Sequence, residues 1–161
     1  MAYKGKFRPT NIGKYKGNWK KIQYRSLWEL HIMKWCDRNN DVIKWSSEEV
    51  VIPYYSSQDN KKRRYFMDFY VKMRNGNEFL FEVKPEKETH KPKKPSRMTT
   101  KAKERFIKED YTWKVNNDKW KTAHKLCEKR GWKFKIITEK ALQSIFGYKG
   151  INNGNIRRRK Q

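Results

Sequence analysis

At 161 residues the chain has room for one domain with a proper core, and not for two. Its 41 Lys and Arg against 17 acids leave a formal charge of +24, far more than solubility needs, so a polyanion is the economical partner. Seven Trp, nine Tyr and eight Phe supply enough apolar surface for a packed interior, which excludes a disordered basic tail protein; no apolar run approaches the roughly 18 residues of a membrane span.

The start, MAYKGKFRPTNIGKYKG, lacks the apolar stretch of a signal peptide and reads as cytosolic. Residues 1–22 mix Lys, Gly and Asn with scattered aromatics and are expected to form an extended basic arm along a phosphate backbone. The folded domain is expected over 23–148. Leu27, Trp28, Leu30, Ile32, Met33 and Trp35 have helical apolar spacing, with Ser26 as N-cap and Glu29 placed for a capping box, which predicts a helix over 26–37. Asp37 to Asp41 stops it. Val42 to Trp45 and Glu49 to Ile52 read as short strands, the second ended by Pro53. Two longer strands follow, over 63–73 and 78–84, joined through Asn75-Gly76-Asn77 as a hairpin. Residues 85–101, with three prolines and many lysines, form a basic loop. Helices are expected over 102–109 and from Trp113 to Lys129, the latter capped by Gly131; a strand over 132–138 and a short helix at EKALQSIF come next. A basic tail, 149–161, ends the chain. This order gives an α/β domain with a mixed β-sheet and flanking helices.

Cys36 and Cys127 fall in helices without a CxxC partner and read as free buried thiols. With His31 and His124 they do not reproduce the spacing of a known zinc motif.

The hairpin carries the chemistry. Strand alternation puts Asp68, Tyr70 and Lys72 on one face of its first strand, and Leu80, Glu82 and Lys84 on one face of its second. Around the Asn75-Gly76 turn, Asp68 and Glu82 fall within a residue or so of being cross-strand partners. Two opposed carboxylates repel unless a cation sits between them. Mg²⁺ suits such a pair, because it takes one or two carboxylates and keeps waters for a phosphate and a nucleophile. Lys84 could then position or deprotonate that water, or stabilise the charged phosphorus centre. Read from these residues alone, a solvated face of a nucleic-acid-binding sheet stays open beside the catalytic reading.

Asp68, thirteen residues, then Glu82-Val83-Lys84, with Glu29 on a helix upstream, resembles the PD-(D/E)xK nuclease superfamily. The stretches YRSLWELHIMKWCDRNNDVIKWSSEEVVIPY, RRYFMDFYV and FLFEVKP are similar to the TnsA-type endonuclease group, and within it to the head completion nucleases of T-even-type tailed bacteriophages, over about residues 1 to 150. Met67 stands where the superfamily usually has Pro, a departure in a bend and not in a ligand. The resemblance implies a restriction-endonuclease-like core and a Mg²⁺-dependent endo- or exonuclease that trims packaged DNA before head and tail join. It implies double-stranded DNA as partner, portal or neck proteins as candidate further partners, and a place in the host cytoplasm or at the virion head. By position it makes Glu29 the helical carboxylate, Asp68 and Glu82 the central metal ligands and Lys84 the catalytic lysine. Glu29 is equally well placed as a plain capping residue. Glu48 and Glu49 are the acids with the next claim, though a polar pair at a strand entry describes them better. Arg25 and Arg64 are candidates for phosphate contacts or for salt bridges to these acids. Lys93, Lys94 and Arg97 in the loop, with Arg157, Arg158 and Arg159 in the tail, would neutralise phosphates without reading sequence. A transposase-like subunit and a non-catalytic nucleic-acid-binding virion assembly protein are the competing readings.

Overall fold

The computed structural model describes residues 3–149. Where an extended arm was expected, residues 3–22 fold back onto the body. Gly5–Lys6 (β1) pairs antiparallel with Gln23–Tyr24 (β2). Tyr15 is buried with its ring centroid 4.8 Å from that of Trp45, and the Thr10 and Asn11 N–H groups donate to the Asp37 carboxylate at 2.8 and 2.9 Å. The lysines around Tyr15 and Ile22 hide two core residues in a basic composition.

The first helix, α1, spans Leu27–Arg38 and starts where Ser26 Oγ accepts from the Glu29 N–H at 3.2 Å. The reciprocal bond of the capping box shifts by one residue: Glu29 Oε2 accepts from the Arg25 N–H at 2.7 Å. Val42–Ser47 (β3) and Val51–Ser56 (β4) follow, and Pro53 lies inside β4 instead of ending it. Because β4 pairs only with Lys61–Phe66 (β5), one edge of the ribbon needs no donor, and proline is tolerated there.

The strand expected over 63–73 is two strands in two sheets. β5 ends at Phe66 and Phe69–Met73 (β6) begins after Met67 and Asp68. β6 pairs with β3 and, as the predicted hairpin, with Glu78–Val83 (β7). Gly76, at φ 91, occupies the left-handed position of the turn. One helix, α2, runs from Thr100 to Arg130 where two were expected, since nothing between residues 109 and 113 breaks it. Thr99 Oγ1 caps its start, and Gly131, at φ 71, ends it as predicted. Lys133–Ile137 (β8) then pairs parallel with β7, and Glu139–Ser144 forms α3.

The main sheet has the order β3-β6-β7-β8, with α2 making the crossover between its two parallel strands. Both faces are covered. One core gathers Ile32, Met33 and Cys36 of α1 with Trp45, Phe69, Val71, Phe81 and Leu142. The other joins Tyr70 and Leu80 to Trp120, Ala123 and Cys127 of α2 and to Ile52, Tyr54 and Tyr65 of the β4–β5 ribbon. The hairpin face that carries the acids is therefore not a solvated one.

Candidate active site

Asp68 sits at the point where the chain leaves one sheet for the other. The Glu48 N–H, at a positive φ of 57°, donates to Met67 O and Asp68 O at 3.0 and 3.3 Å, and the Met67 N–H donates to Val50 O at 2.9 Å. These bonds fix the bend between β5 and β6. In β6 and β7, Phe69 faces Phe81 and Tyr70 faces Leu80, so Asp68 falls opposite Glu82 when the register is carried one residue on. The two carboxyl groups lie within hydrogen-bonding reach of each other, and Asp68 Oδ2 accepts from the Val83 N–H at 2.8 Å.

The pair is electrostatically costly. Burial, then the charge of Glu82, pushes Asp68 well above the usual carboxylate range, against the lowering effect of the Val83 bond. Glu82 is 5% exposed and is also raised, chiefly by burial; the Tyr65 hydroxyl, Lys84 and Lys119 pull it back. Lys84 Nζ stands 3.8 Å from Glu82 Oε1. The Tyr65 hydroxyl donates to Glu82 Oε2. Lys119, from α2, holds its ammonium 5.4 Å from the centre of the Tyr65 ring.

Glu29 stands further back. Among the described residues no three His, Cys, Asp or Glu side chains form a group that could hold a metal ion by themselves. Glu29 is held by the Arg25 N–H and lines a cavity of about 380 Å³ with Val83, Pro85 and Tyr148. Its carboxyl is raised by burial first, then by Glu48 and Glu82, against the Arg25 bond, so it feels the field of the site from its rim. Two carboxylates with open coordination fit Mg²⁺, which needs only one or two and fills its octahedron with water and phosphate. The raised affinity of both groups for protons follows first from burial.

The other predicted residues are distributed around this centre. The Arg25 side chain pairs with Glu48 at 3.3 Å, and Arg64 lies over the Phe66 ring at 5.6 Å; both are exposed. Glu49 accepts from the Tyr15 hydroxyl at 3.3 Å and so has a structural role at the N-terminal segment. Lys93, Lys94 and Arg97 are exposed on the loop before α2. Arg157, Arg158 and Arg159 lie outside the described residues. Cys36 and Cys127 are free, buried and in the two separate cores, and His124 Nε2 lies 3.1 Å from Glu128 Oε1.

Tyr65 and Lys119 are the two site residues that sequence reasoning missed. Tyr65 precedes Asp68 by three positions and could have been found by asking which hydroxyl reaches a buried carboxylate. Lys119 has no local signal: it is one lysine among many, brought over the hairpin by the crossover helix.

Residues 39–139, which include Asp68, Glu82 and Lys84, match the TnsA-like endonuclease N-terminal family. The chain belongs to this family. It is also 55% identical over 150 residues to the head completion nuclease of Enterobacteria phage T4, covering 93% of this chain and 99% of that protein. A TnsA-like endonuclease domain with this mixed sheet agrees with the restriction-endonuclease-like core expected from the sequence, and it marks the chain as a nuclease. Among the described residues no helix is long and apolar enough to cross a membrane.

Proposed function

We propose that this TnsA-like nuclease is a Mg²⁺-dependent DNA endo- or exonuclease that trims packaged phage DNA during head completion, before head and tail join in the infected cell. The observation that carries the reading is the pairing of half-buried Asp68 with buried Glu82, with Lys84 at its side. Asp68 and Glu82 would hold the ion, which when bound supplies a Lewis acid for the phosphate and lowers the pKa of a water. Tyr65 and Lys119 favour the ionised form of Glu82, and the Tyr65 hydroxyl holds its orientation, as outer partners of metal ligands do. Lys84 presents a cation where negative charge grows on the phosphate, or holds the attacking water through its ammonium protons. Glu29 orients groups at the rim through its bond with Arg25. The large positive charge binds double-stranded DNA through its phosphates with little sequence preference, and part of it is available for portal or neck proteins.

The test is cleavage of linear and circular double-stranded DNA by the purified protein with Mg²⁺, with EDTA, and by Glu82→Ala. Cleavage that requires the metal and vanishes in the variant is expected, and cutting of the circle reveals the endonuclease. If the variant cuts as well as the wild type, the hairpin acids are not the catalytic centre. If both bind DNA and neither cuts it in any divalent metal, the protein is a DNA-binding assembly factor.

A further inference from the structure

The largest basic loop of the chain faces the first half of α2. The loop after Pro85 and the first half of α2 flank an open cavity of about 860 Å³, within the size range of small-ligand pockets. Its wall includes Thr112, Trp113 and Asn116. Asn116 is 6% exposed and contributes its carboxamide, a donor and an acceptor, to the lining. Among the described residues the buried Trp113 Nε1 has no hydrogen-bond partner.

Charge selects the kind of occupant. Lys87, Lys91 and Lys93 rim the cavity from the loop, and Arg105 and Lys108 from the helix. These five cations face two acids, Glu88 and Glu109. An apolar, aromatic-walled interior with a cationic rim suits a nucleobase whose phosphates stay outside. The cavity is tied to the nuclease centre twice. Its loop starts directly after Lys84-Pro85, and Asn116 precedes Lys119 by three residues on α2, about 4.5 Å along the helix axis.

We infer that the cavity between the 87–93 loop and α2 binds an unpaired nucleotide of the DNA substrate, with Asn116 bonding the base edge, so that the nuclease prefers frayed or single-stranded ends. The inference rests on the DNA-nuclease reading and adds a substrate class to it. A base paired in a duplex cannot reach such a pocket, whereas an unpaired one enters without the cost of opening a base pair.

Binding is measured with the full chain in EDTA, so the result does not depend on cleavage. The probes are a blunt duplex and the same duplex with a few unpaired nucleotides carrying 2-aminopurine. The wild type should bind the unpaired end about tenfold more tightly, in line with one stacked base, and 2-aminopurine fluorescence should change on binding. Asn116→Ala, and Thr112→Trp as a filling change at an exposed wall position, should each bring the ratio of the two affinities close to one. Equal binding of both probes by the wild type overturns the inference, as does a preference that survives both variants. A chain that shows the preference but cuts nothing with Mg²⁺ would keep this site and sink the nuclease reading instead.

Discussion

Replacing Asp68 by Asn should make the metal-free protein more stable while removing its activity. Cross-strand partners have Cβ atoms about 5 Å apart, and two unit charges at that distance repel by about 3 kcal/mol at an effective dielectric near 20. Part of this is already offset by Lys84 beside Glu82 and by the Val83 N–H on Asp68. An Asn carbonyl can keep the Val83 bond, and its amide can donate to Glu82. The expected gain at about pH 8 is therefore about 1–3 kcal/mol. The sign with pH follows from the direction of the shifts. Asp68 and Glu82 both have folded-state pKa values above their ordinary ones, so the native state binds protons more tightly than the unfolded state. Wild-type stability from this pair is thus greatest at low pH and is lost as pH rises through the raised values. The advantage of Asp68→Asn should accordingly shrink as pH falls towards the ordinary carboxylate range near 4. Urea unfolding of both proteins in EDTA at the two pH values measures this. Adding Mg²⁺ should stabilise the wild type by mass action and leave the variant unmoved. A variant less stable than wild type in EDTA at the higher pH, or a difference that does not change with pH, would refute the reasoning.

Tyr65→Phe removes the hydroxyl from Glu82 and should weaken Mg²⁺ binding or cleavage by about 10- to 100-fold. Because that bond lowers the Glu82 pKa, the acid limb of the pH–rate profile should move upward; an unchanged profile would make Tyr65 a packing residue only. Trp45→Ala, at a fully buried position between Phe7 and Tyr15, should cost about 3–5 kcal/mol in urea unfolding and loosen residues 3–22, seen as faster amide exchange there. DNA affinity should fall by about 10³-fold or more between roughly 50 and 200 mM salt if six or more phosphates are contacted. An affinity insensitive to salt would contradict the electrostatic account.

Local chemistry explains which parts of this arrangement were legible. The Asn75-Gly76 turn sets the hairpin register, and the register brings Asp68 to Glu82, so that juxtaposition could be read from the spacing of a few residues. Ser26 and Gly131 cap their helices through bonds to immediate neighbours and were equally readable. The misreadings are tertiary. The break at Met67 and Asp68 is produced by backbone bonds from Glu48 and to Val50, and no local composition announces it. Pro53 lies within β4 because that strand is paired on one side only, a tertiary fact that the local sequence does not carry. The burial of the acid-bearing face follows from the crossover of α2, which no alternation within the hairpin can reveal.

Helix α2 is about 46 Å long by its 31 residues, yet all its buried residues lie from Asn116 onward. It is in effect a beam clamped at one end. Amides of residues 116–130 should exchange only with the global opening of the domain, while the first turns, held mainly by their own ladder, should open far more often. Sequence changes there can therefore alter how the protein grips its substrate without straining the sheet that holds Asp68 and Glu82. That leaves the free end as the part of the molecule most able to adapt to a new partner at little cost to the fold.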